Sequence, residues 1–270
     1  MSPWPARHAA NAARQTLSLT RGDAALYLAV LLYTAAGLLL LAAAGMQEMS
    51  SHRLYLRQWT TMFVILMPLI ALSVDAILVI HRFDRRRALA FRRVFSPHRL
   101  ACLLSGMAML MGLMVFQGTF TSIKNAMPVW RGGFAYDRLQ ADIDRWLHFG
   151  VDPWRLLHQF GDSHLLRAAV EWNYNTLWFV LCFGALFFVV ASPAAKAIRS
   201  RYLACFMLVW VVCGNLLAVA FLSAGPAFYG AVTGDEARFA EQLAFLAAGA
   251  GEANSAASYQ HYLWTLHAAG

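Results

Sequence analysis

The sequence predicts an all-α fold, a polytopic membrane helix bundle with five transmembrane helices and short interfacial helices. Three observations predict it. The chain of 270 residues is 60% apolar and 13% charged, where a soluble domain carries about a quarter charged residues. The deficit is concentrated in charge-free runs at residues 24–47, 58–74, 100–123, 172–195 and 202–234. Crossing a bilayer core takes about 20 apolar residues. Four runs supply that directly, and the second does so as residues 61–80 with Asp75 inside it.

The first run follows Arg7, Arg14 and Arg21 and precedes "AAAG", so its flanks imitate a cleavable signal peptide. Its apolar stretch is longer than a signal core and further spans follow, which makes it a retained anchor. Between the second and third runs lies "HRFDRRRALAFRRVFSPHR". With the N-terminal arm and the Lys196–Arg201 stretch on the same side, alternate connections hold 13 of the 22 Lys and Arg, mostly in short segments. The positive-inside rule then makes residues 1–23 a cytoplasmic arm. The connection 124–171 and the tail 235–270 face outward from a bundle spanning 24–234. The setting is an integral membrane protein, of a bacterial inner or plasma membrane. The net charge of +8 is accounted for by this topology signal and by anionic headgroups, and no nucleic-acid partner is implied.

The third run ends at Lys124, and "KNAMPVWRGG" places Arg131 seven positions later, with "MPVWRGG" as turn chemistry. In "YDRLQADIDRWLHF", Leu139, Ile143, Trp146 and Leu147 recur at helical spacing after Asp137, an expected N-cap. Gly150 ends that helix. "DPWRLLHQF" begins another, with Asp152 as cap and Pro153 at the first position. Trp146 and Trp154 mark both as interfacial helices. The fourth run opens at Glu171 and Asn173. The fifth, about 50 Å long as a helix at 1.5 Å per residue, must leave the membrane before it ends. "SAGPAFYG", residues 223–230, is where it can, because Pro226 lacks a backbone donor and Gly225 releases the helix. The tail holds a short helix, a Gly/Ala/Ser/Asn loop and the aromatic stretch "YLWTLHAAG".

Lys124 and Arg131 at a membrane boundary suit a phosphate, one as a point charge and the other as a planar fork. The alternative is a pair of snorkelling cations. Glu171 and Asn173, at the outer end of a span, are expected to shape the same site, and Lys124 and Glu171 to approach each other. Asp75 is expected to pair with the basic loop, and Asn215 to bond between helices. Cys102, Cys182, Cys205 and Cys213 lie in apolar runs without metal or disulfide spacing. His148, His158 and His164 match no compact metal site. No metal and no cofactor is predicted. His261 and His267 have no acidic neighbour to orient them.

In their order and spacing, "SIKNAMPVWRGGFAYDRLQADIDRWLHFGVDPWRLL" and, one span later, "SAGPAFYG" resemble the phosphatidic acid phosphatase type 2-like superfamily. The branch resembled is the one related to inositol phosphorylceramide synthase. The resemblance implies outward-facing chemistry on lipid phosphate esters, hydrolysis or transfer, through a phosphohistidine intermediate. Lys124 takes the place of the family's early Lys. Arg131 fits its Lys-x6-Arg spacing, with Gly132 where the family has Pro. Gly225, Pro226 and Tyr229 bring the chain out beside the site. The family's later Pro-Ser-x-His segment and His…Asp pair have no counterpart here, so the chain is expected to be C-terminally incomplete and inactive alone. The expected partners are membrane lipids and a lipid phosphate substrate. Two alternatives remain: a non-catalytic lipid- or partner-binding membrane protein, and a small transporter resting on Asp75 and Asn215.

Overall fold

A computed structural model describes residues 4–82, 86–161, 163–248 and 256–268. It is 84% helical with no strands among the described residues. Among the described residues, five helices are long and apolar enough to cross a membrane: Ala24–Ala43, Gln47–His81, Arg87–Arg131, Leu165–Ala191 and Arg199–Ala220. The protein is therefore an integral membrane helical protein, as its hydropathy predicts. It divides into two units, Met1–Ala126 with Thr176–Leu216, and Met127–Asn175 with Leu217–Gly270.

The first unit begins with α1 (Trp4–Gly22), so the N-terminal arm is itself helical. The first span is α2 (Ala24–Ala43). The second is α3 (His52–Trp59), a π-helical stretch Thr60–Leu66, and α4 (Met67–Arg82). The basic loop contains α5 (Arg87–Val94) and leads to α6 (Pro97–Arg131). The fourth span starts with α9 (His164–Trp172), which falls in the second unit, and continues through the π-helical Asn173–Leu177 to α10 (Trp178–Ala191) in the first. The fifth, α11 (Arg199–Val211) and α12 (Ala218–Ala220), encloses Val212–Leu217.

The span built on α6 is the hub of this unit. Its apolar stretch is 61% buried, while those of the other four are 17% to 28% buried. Outward-facing Leu, Ile and Phe on the other four are what lipid requires of a perimeter. Without a hydrophobic drive between helices in lipid, close association needs small residues at the crossings. The contacts follow that rule: Gly37 meets Thr119, Gly106 meets Val190, Gly118 meets His52 and Gly214 meets Phe120. At Gly106 a Cβ would lie 2.7 Å from the Val190 carbonyl oxygen, so only glycine lets α6 and α10 touch there.

Several polar groups in the bundle are satisfied by one another, although Tyr27 Oη and Gln117 Oε1 are buried without a partner among the described residues. Asp75 accepts from Arg99 at 3.1 Å, the expected pairing with the basic loop. Asn215 accepts from the Tyr33 hydroxyl. Arg199 and Asp23, both buried, form an ion pair at 2.6 Å, and Arg199 also donates to the Val190 carbonyl. Sequence reading passed over that pair because Asp23 precedes one apolar run and Arg199 stands beside another. Removing one partner of a buried pair costs about 3–5 kcal/mol, so the pair fixes the start of α2 against the start of α11.

Candidate functional site

The second unit is built on α7 (Asp137–Leu147) and α8 (Pro153–His158). Added to these are the turn Pro226–Phe228, α13 (Tyr229–Thr233), α14 (Ala240–Ala248) and α15 (Ala256–Ala268). Asp137 is not the cap of α7. It is the first helical residue, 3% exposed, and its carboxylate leaves the helix for the segment after the fifth span. Ser223 Oγ donates to it at 2.8 Å, and the Ala224 and Gly225 N–H groups donate at 3.0 and 2.9 Å. Gly225 has φ +80°, a conformation other residues rarely adopt, and this lets the chain turn away directly after its N–H has bonded the carboxylate. The neighbouring α7 side chains make the same junction. Arg138 donates to the Thr233 carbonyl at 2.5 Å, and Gln140 to the Phe221 carbonyl at 2.8 Å. The Tyr-Asp of the connection and the Ser-Ala-Gly-Pro of the exit turn are thus two halves of one lock.

A second cluster secures α8. Asp152 stands at the N-cap position with Pro153 at the first helical position, as expected, but its carboxylate makes no cap bond. It accepts instead from Arg238 at 3.0 Å. Arg238 also donates to Asp142 and to the Ala141 carbonyl, both at 2.6 Å, and lies over the rings of Tyr229 and Phe239. Burial works against its charge, but the hydrogen bonds it donates to Asp142 and Asp152 outweigh that and raise its pKa. Arg238 is a permanently charged pin. Sequence reading missed it, although a lone arginine between acidic residues and a phenylalanine, in "DEARF", is the signal that carries it. Trp154 is buried at 8% exposed, packed with Tyr229 and Phe239. This corrects its assignment to the membrane interface: only Trp146 of the two tryptophans is exposed.

Between these clusters lies a cavity of about 140 Å³ lined by Asp137, Gln140, Asp144, Asp152, Trp154 and Tyr229, with Gly225 and Pro226 at its edge. Gly225, Pro226 and Tyr229 line this cavity. Its wall is rich in carboxylates, which suits a phosphate poorly. The cations singled out for phosphate are elsewhere. "MPVWR" is not a turn, because α6 runs through Pro128 to Arg131 and ends only at "GG". Gly132 N–H bonds the Val129 carbonyl and Gly133 N–H the Pro128 carbonyl, the two bonds of a Schellman cap. Lys124 and Arg131 thus share one continuous helix, and both are exposed. Arg131 lies 5.9 Å from the Tyr136 ring centroid. Neither has a carboxylate partner among the described residues.

Glu171 and Asn173 are exposed as well, and neither lines the cavity. Among the histidines, His148 donates from Nδ1 to the Asp144 backbone carbonyl at 2.7 Å, and His158 packs on Trp154 and Phe245. His261 is exposed. None of these three is held by a carboxylate, and the side chains of His164 and His267 lie outside the described residues. No group of three His, Cys, Asp or Glu able to hold a metal occurs among the described residues. Comparisons with protein-family models, curated proteins and solved structures return no match.

Proposed function

We propose that this membrane protein holds the phosphate of lipid phosphate esters at its outer face, on a scaffold of the phosphatidic acid phosphatase type 2-like kind. Lys124 and Arg131 are the binding cations. The observation that carries this reading is the register of α6. A helix turns about 100° per residue, so positions 124 and 131 fall on the same face two turns apart. They are exposed there without carboxylate partners among the described residues. Most other arginines of this connection are committed to structure: Arg138 and Arg145 to carbonyls, and Arg155 to Glu241. Two unneutralised cations on one face can take a phosphate from both sides, with an outer loop placing it among lipid headgroups.

Binding without turnover is the form the described residues support. Attack on a phosphate ester needs a nucleophile and an acid for the leaving alkoxide, and His148, His158 and His261 have no orienting carboxylate. Asp75 and Asn215, on which the transporter reading rests, are both engaged in interhelical bonds.

The test uses the full chain in phosphatidylcholine nanodiscs, with short-chain phosphatidic acid added and binding followed by calorimetry. Lys124→Ala and Arg131→Ala should each weaken binding about tenfold, in keeping with about 1.5–3 kcal/mol for a charged hydrogen bond. Arg92→Ala in the basic loop should leave it unchanged. Phosphate release should stay at background. Equal affinity in all three variants would contradict the reading, and robust hydrolysis would contradict its non-catalytic form and direct attention to His261 and His267.

A further inference from the structure

We propose that the corner joining α7 to α8, centred on Trp146, Leu147 and Phe149, is a membrane wedge seated among the acyl chains just below the lipid headgroups. The starting observation is that α7 is inside-out. Its protein-facing side is polar or small: Asp137, Arg138, Gln140 and Ala141 carry its contacts to residues 221–238. Its apolar stripe (Leu139, Ile143, Trp146 and Leu147) is exposed, with Trp146 at 77%. A helix on a water-soluble surface has the opposite arrangement. This one gives its polar face to the protein and leaves its apolar face to the surroundings.

The corner sharpens the point. Phe149 is 99% exposed and has φ +57°, a left-handed conformation that disfavours bulky side chains. The chain holds it there with a full Schellman cap: Phe149 N–H bonds the Trp146 carbonyl at 3.2 Å, and Gly150 N–H the Arg145 carbonyl at 2.8 Å. Arg145 donates back to the Gly150 carbonyl at 2.9 Å, which closes the corner and keeps its charge beside the backbone. A phenylalanine fixed in this way projects beyond the fold. After it come Leu157 at 72% and Phe160, also exposed.

The occupant is lipid because of what the chain does next. A few residues after Phe160, Leu165 at 80% exposed opens the span Leu165–Ala191. The exposed apolar run of the corner therefore leads directly into a helix whose own apolar exposure is that of a bilayer-crossing segment. Aromatic residues with cations close by, here Arg138, Arg145 and Arg155, are the composition of an interfacial anchor. This inference stands independently of phosphate binding.

Two measurements on the full chain in lipid vesicles test it. In the first, the unmodified protein is irradiated with phospholipid carrying a photoreactive group on its acyl chain, and adducts are mapped by mass spectrometry. Adducts on peptides covering Trp146–Phe149, as well as on the five spans, are expected. Spans labelled with the corner unlabelled would overturn the proposal. In the second, Phe149→Cys and Glu236→Cys, each in a background without native cysteines, carry an environment-sensitive fluorophore. The dye at 149 should be quenched several-fold more by lipid-borne nitroxide than the dye at 236, and less by aqueous iodide. Equal iodide quenching at both positions would overturn the proposal. So would protection at 149 that disappears as the protein is diluted in lipid, because a second copy would then be covering the corner.

Discussion

Asp137 carries more of the second unit than any other single residue. Its carboxylate accepts from one hydroxyl and two backbone N–H groups on a segment over eighty residues away in the chain. All of this occurs with the side chain shielded from solvent. Asp137→Ala would leave those donors facing an empty site, at a cost of about 3 kcal/mol or more. The unfolding midpoint of purified Asp137→Ala should fall by several degrees, and Asp137→Asn, which keeps one acceptor oxygen, should fall by less. An unchanged midpoint in both would mean that the exit turn holds its shape without the carboxylate. The two motifs that suggested a family, Tyr-Asp and Ser-Ala-Gly-Pro, were visible in the sequence as separate signals. Their bond was not, because no local pattern links positions 137 and 223. The same limit hid the partners of Arg238: "DEARF" marks the arginine, but no local pattern links it to Asp142 and Asp152.

At the scale of the elements, hydropathy was a reliable guide wherever lipid is the solvent. The second span illustrates this: Asp75 interrupts its apolar run, yet the helix continues through Gln47–His81 because Arg99 takes the charge. Pattern was less reliable where turns were inferred from composition. Pro128 and the following Gly132-Gly133 suggested that α6 stops near Lys124. It runs on to Arg131, since a proline near the last turns breaks few bonds and the two glycines complete the cap. Packing within the bundle is governed by glycine at the crossings, and this gives a clean comparison. Gly106→Ala forces a methyl against the Val190 carbonyl, whereas Gly184→Ala on α10 meets nothing within 4 Å. Gly106→Ala should destabilise the detergent-solubilised protein by about 1–3 kcal/mol. Gly184→Ala should be neutral or slightly stabilising, because alanine favours helix. Equal effects at the two positions would remove close approach as the rule that packs these helices around α6.

For the whole molecule, five crossings put the two ends of α6 on opposite sides of a membrane. The distribution of Lys and Arg predicts a direction by the positive-inside rule, with the basic loop inside and the end of α6 outside. The proposed phosphate site and the lipid wedge both depend on that direction, since each places its residues on the outer face. The most direct measurement is cysteine accessibility in intact cells, using a background without the four native cysteines. Arg92→Cys reports the basic loop. Ala135→Cys reports the segment after α6 and avoids the strained φ of +111° at Gly133. A membrane-impermeant maleimide added from outside should label position 135, and should label position 92 only after the cells are broken open. Labelling of both positions from outside would contradict the crossing of α6, and labelling of position 92 alone would contradict the outward site.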